Sequence, residues 1–194
     1  MNWETIIRSY RLKNRSHKQK ELDWFRRQTS LEAAINVAAK AEDEPKAENK
    51  RGLRYPHQRR IIRQAIPEAN RLLLEKHDEL QRCKSFHELW LLIGKTLEPV
   101  RGIRELYVYD TALRIGAYLN LLPNRVYLHR GTRDGAKKFG FVTKKNEWLN
   151  IDELPDILRE LPADEIEDIL CIYKNKAMSS KGCANNLSEA FVSC

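Results

Sequence analysis

The sequence predicts a mainly α-helical fold: a helical domain with an N-terminal helical arm and at most a minor β element. Three observations carry this. Apolar residues recur at helical spacing through most of the chain. Ser or Thr residues stand three positions before Glu at the start of apolar runs. Proline and glycine are sparse, at 7 and 8 residues of 194, so few positions are built to break a helix.

Taken in order, Trp3, Ile6, Ile7 and Tyr10 form one apolar helix face. A basic stretch follows through Arg11, Lys13, Arg15, Lys18 and Lys20, before Leu22 and Phe25 and then Arg26 and Arg27. Thr29 and Glu32 have capping-box spacing and open a helix with the face Leu31, Ala34, Ile35, Ala38 and Ala39. These elements make up the arm, residues 1–41. Residues 42–53 are charged, lack a periodic apolar face and contain Pro45, which predicts a linker.

The main helical domain is expected over 54–176. Ile61, Ile62 and Ala65 suggest a short helix that Pro67 interrupts or ends, and Ala69, Leu72, Leu73, His77 and Leu80 mark the next face. Ser85 and Glu88 cap a helix carrying Phe86, Leu89, Trp90, Ile93 and Leu97, closed by Pro99 and Gly102. Another helix runs through Ala112, Ile115, Gly116 and Leu119. Val126-Tyr127-Leu128-His129 reads as a short strand or extended loop, and a helix is expected from Thr132 to Phe139, ending at Gly140. Ile151, Leu154, Leu158 and Leu161, then Ile166, Ile169 and Leu170, predict two amphipathic helices with acidic outer faces. The small, polar stretch 177–194 predicts a disordered tail.

Bulk properties narrow the function classes. No apolar run is long enough to cross a bilayer, the N-terminus lacks a signal-peptide core, and the four cysteines form no close pair. A cytoplasmic protein with reduced thiols is the expectation. The formal net charge of +8 suits a polyanionic partner. Walker A, Rossmann and nucleophile-elbow patterns do not occur, and no cofactor or metal site is assigned.

The most informative segment is Glu98-Pro99-Val100-Arg101-Gly102-Ile103-Arg104-Glu105, followed by Asp110-Thr111-Ala112-Leu113-Arg114-Ile115-Gly116-Ala117. Residues 85–140 resemble helix-hairpin-helix DNA-binding proteins, in particular the glycosylases that carry this element. The resemblance implies a hairpin that offers backbone N–H groups to a phosphate, with Arg101 and Arg104 flanking Gly102. The usual second glycine is replaced by Arg104, no lysine stands beside Gly102, and Val126-Tyr127-Leu128-His129 occupies the stretch where a catalytic Asp belongs. The resemblance therefore implies binding without the glycosylase chemistry. Strings around His57, Tyr109 and Tyr127 are also similar to uncharacterised bacterial proteins, a likeness that implies no activity.

Two further clusters are candidate phosphate contacts. Arg125, Tyr127, His129, Arg130, Arg133, Lys137 and Lys138 interleave cations with an aromatic ring, a pattern that can follow a backbone and stack a base. His57, Arg59, Arg60 and Arg63 form a second basic group. Asp110, His129 and Asp134, and His77, Cys83 and His87, lack the spacing that would fix an acid–base or zinc geometry. The leading expectation is a non-catalytic nucleic-acid-binding protein with little sequence specificity. An enzyme acting on nucleic acid or nucleotides through His129 stays open. So does an antitoxin-like or assembly factor using its acidic C-terminal helices to meet a protein partner.

Overall fold

The computed structural model describes residues 2–42, 64–143 and 147–176. It is mainly helical with one small antiparallel sheet, as the apolar periodicity predicts. The chain forms two compact units: Lys13–Asn124, and Met1–Leu12 together with Arg125–Cys194. Within residues 1–41, helix α1 (Trp3–Tyr10) is followed in sequence by a π-helical segment, Arg11–Arg15, and by α2 (Ser16–Arg26), and the boundary between the units falls in the π-helical segment. Most of the linker expected over 42–53, the His57, Arg59, Arg60 and Arg63 cluster, and the tail 177–194 lie outside the described residues.

In the Lys13–Asn124 unit, α3 spans Leu31–Lys40, α4 Ala65–Glu75, α5 His77–Arg82, α6 Phe86–Leu97 and α7 Glu105–Leu119. Helix α7 is the centre. It packs on α2, α3 and α6 and is buried from Thr111 to Ala117. The Tyr107 hydroxyl donates to the Ala39 carbonyl, which ties α7 to α3. Arg114 is almost fully buried, and its Nε donates to Glu21 Oε1 at 3.0 Å, so the charge enters the core with an opposite partner.

Local chemistry sets the helix ends. Ser30 caps α3 by accepting from the Ala33 N–H, one position later than the expected Thr29. Ser85 caps α6, accepting from the Glu88 N–H. Pro67 sits in the first turn of α4, where its missing N–H has no intrahelical partner to lose. It accompanies the start of that helix and does not end one, correcting the expectation for Pro67.

In the other unit, α1 joins β1 (Val126–Tyr127), α8 (Arg130–Lys138), β2 (Trp148–Leu149), α9 (Asp156–Arg159) and α10 (Ala163–Tyr173). The strands pair antiparallel, Val126 opposite Leu149 and Tyr127 opposite Trp148. The core brings Ile6, Ile7 and Tyr10 against Leu158, Ile166, Ile169, Leu170 and Tyr173. Helix α8 starts two residues before the expected Thr132, because His129 caps it. Its close partner is α10. Gly135 makes that approach possible, since a Cβ there would run into the Leu170 carbonyl.

The expected acidic outer faces hold only in part. Asp164, Glu165 and Glu167 on α10 are buried. The hydroxyl of Tyr10 donates to Asp168 Oδ2 at 2.9 Å. Burial first, and then the neighbouring acids Asp168, Glu165 and Asp164, push that phenol well above its ordinary range.

Candidate functional site

Residues 98–104 join α6 to α7 through a turn whose backbone is set by Gly102, at φ +96°. That conformation is open to glycine and strained for side chains with a Cβ. Val100 is buried and anchors the turn, while Arg101 and Arg104 are exposed on either side of Gly102. Arg104 occupies the N-cap position of α7 and gives no side-chain cap hydrogen bond. Glu105 lies exposed in the first turn. Two arginines and one carboxylate thus stand at the positive end of a 15-residue helix.

The basic stretch from Arg125 to Lys138 belongs to the other compact unit, and its residues divide by environment. Arg130, Lys137 and Lys138 are exposed, and Lys138 Nζ reaches Asn175 Oδ1 at 2.9 Å. Arg133 is partly buried. Its two terminal nitrogens donate to the carbonyls of Thr143 and Leu128, so it closes the loop after α8. Arg125 lies with its guanidinium 4.8 Å from the Trp148 ring centroid.

Tyr127 and His129 are both buried, as are Val126 and Leu128. The strand segment is covered on both faces, so the ring of Tyr127 is not displayed for base stacking. Burial pushes the Tyr127 hydroxyl up to about 12, with Arg125 opposing.

His129 instead heads a polar cluster between α8 and α10. Its Nδ1 accepts from the Gly131 N–H at 3.1 Å, the bond that caps α8. In the neutral ring this leaves the proton on Nε2, which donates to Glu167 Oε1 at 2.5 Å. The Thr132 hydroxyl lies 2.7 Å from Nε2 and donates to the same carboxylate oxygen. Cys171 stands one turn beyond Glu167 on α10. A Cβ on Gly131 would be 2.8 Å from its Sγ, so the bare glycine backbone lets the sulfur approach the imidazole. The donor atoms of His129, Glu167 and Cys171 all fall within 4.8 Å of one another.

Sequence reasoning singled out His129 but paired it with Asp110 or Asp134. Asp134 is exposed on α8, and Asp110 belongs to the other unit. The partners Glu167 and Cys171 were missed. Their i, i+4 spacing on one helix face was the available signal. Comparison with known proteins finds no matching family model, no matching curated protein and no matching solved structure.

Proposed function

We propose that the chain binds nucleic acid through its phosphate backbone, with little base readout, and that the turn between α6 and α7 is the principal contact. The observation that carries this reading is the pairing of exposed Arg101 and Arg104 around the positive-φ Gly102, immediately before the N-terminus of α7. Helix N-termini favour anions because their first N–H groups lack intrahelical partners and the dipole is positive there. Forked guanidinium groups add phosphate contacts that position a strand without reading its sequence. The exposed cations Arg130, Lys137 and Lys138 on α8 supply secondary contacts. The buried Tyr127 and His129 take no part.

Fluorescence anisotropy with unrelated single- and double-stranded DNA and RNA, titrated at several salt concentrations, tests the reading. Binding should weaken steeply with salt as counterions are released. The double variant Arg101→Ala/Arg104→Ala should bind all sequences more weakly and flatten the salt slope by roughly one to two units. Glu105→Gln should do the opposite, since it removes the carboxylate from the same turn. No binding at about 50 mM salt, or an unchanged slope in the double variant, overturns the proposal. An interaction protein would then be the better reading.

A further inference from the structure

We propose that His129, Glu167 and Cys171 form a binding site for a divalent metal ion of the zinc class, bridging α8 and α10. The three donors come from two helices that glycine residues hold close. In the metal-free protein a capping bond places His129 at the start of α8, and Glu167 and Cys171 project from successive turns of α10. The imidazole nitrogen and the carboxylate oxygen already face each other across one shared proton, with Thr132 donating to that same oxygen. The Thr132 hydroxyl orients the carboxylate, the support that metal-ligating groups generally receive from their neighbours.

The donor chemistry selects the ion. Imidazole, thiolate and a single carboxylate suit zinc and cobalt(II), whereas magnesium and calcium require oxygen-rich sets. A tetrahedral zinc ion has ligands at about 2.0–2.3 Å, which places its donors roughly 3.5 Å apart. The 2.5 Å separation of Nε2 and Oε1 has to widen, a movement of side chains within a set of donors that already lie within 4.8 Å of one another.

The proton balance follows from the hydrogen bonds. The ion takes the place of the Nε2 proton, and the ring proton passes to Nδ1. The Gly131 N–H then loses its acceptor, one capping bond given up against three coordination bonds. The thiol of Cys171 releases its proton to solvent, so affinity must fall as pH is lowered. Three protein donors leave a fourth position for water, the arrangement that zinc sites with an exchangeable ligand use. Cys171 is the partly exposed residue of the three, while His129 and Glu167 are buried.

Cobalt(II) titration of the full chain is the test, because thiolate ligation produces a charge-transfer band and tetrahedral geometry produces intense visible bands. The measurement uses a background with Cys83→Ser, Cys183→Ser and Cys194→Ser, in which Cys171 is the single possible thiolate. The expected result is one cobalt bound per chain with the thiolate band, lost on adding zinc. His129→Asn retains a side-chain acceptor for the cap and removes the ring ligand. It and Glu167→Gln should each weaken cobalt binding by more than about tenfold. Wild type should gain melting temperature with added zinc, and Cys171→Ser should not. Absence of the band in the serine background overturns the proposal, as does wild-type cobalt affinity in His129→Asn or Glu167→Gln. If the serine background fails to fold, wild type against Cys171→Ser gives the same decision.

Discussion

Replacing His129 by alanine removes two things at once: the acceptor for the Gly131 N–H, and the donor to a carboxylate that is almost fully buried. In metal-free protein His129→Ala should therefore cost about 3 kcal/mol, chiefly because Glu167 keeps its burial and loses its ring partner. Asparagine at the same place can still cap α8. Urea unfolding should place His129→Asn above His129→Ala by about 1 kcal/mol, and equal stability of the two would remove the capping role. Tyr127 makes a separate prediction at high pH. Its hydroxyl ionises at about 12 when folded and at the ordinary 10.0 when unfolded. A raised value means that the folded state holds the proton more tightly. The resulting stability is complete below pH 10 and is lost as pH rises toward 12. Melting curves across that window should fall less steeply for Tyr127→Phe than for wild type. Parallel curves would show that this phenol does not contribute to the alkaline loss.

Helices α8 and α10 approach closely because glycine faces the crossing. A Cβ at Gly135 meets backbone, the Leu170 carbonyl, which cannot turn aside, whereas a Cβ at Gly131 meets the movable sulfur of Cys171. Gly135→Ala should consequently destabilise by about 3 kcal/mol and Gly131→Ala by about 1 kcal/mol, read from thermal or urea unfolding. The reverse order would mean that the two helices separate easily and that the cluster between them is not held in place. The same pair of helices marks what a sequence displays and what it hides. Periodicity located the helices now seen as α1, α3, α6 and α7, because it depends on neighbours three and four residues apart. Ser85 marked the start of α6 for the same local reason. Pro67 misled, since a proline in a first turn looks in sequence like one that ends a helix. Asp164, Glu165 and Glu167 misled as well, because charge is ordinarily a sign of an outer face. The site was the least legible part. Glu167 lies 38 residues from His129, and only the packing of α8 on α10 joins them.

Across the whole molecule the net charge of +8 is unevenly spread. Most of the excess falls in Lys13–Asn124, while the unit formed by Met1–Leu12 and Arg125–Cys194 is nearly balanced by its acidic residues. Long-range attraction to a polyanion scales with this excess, so under the proposed function a nucleic-acid strand would be drawn toward residues 13–124 before any short-range contact forms. The α6–α7 turn with Arg101 and Arg104 lies in that unit, so charge and local geometry point to the same half of the sequence. Chemical footprinting of arginine and lysine side chains on the full chain, with and without DNA at low salt, should show protection concentrated in 13–124. Arg101 and Arg104 should be among the most protected residues, and Arg130, Lys137 and Lys138 should be protected more weakly. Raising the salt should erase the weaker set first, because contacts that depend on few neighbouring cations have the least to hold them. Strong protection confined to Arg130, Lys137 and Lys138 would move the interface to α8 and leave the α6–α7 turn as an ordinary helix connection.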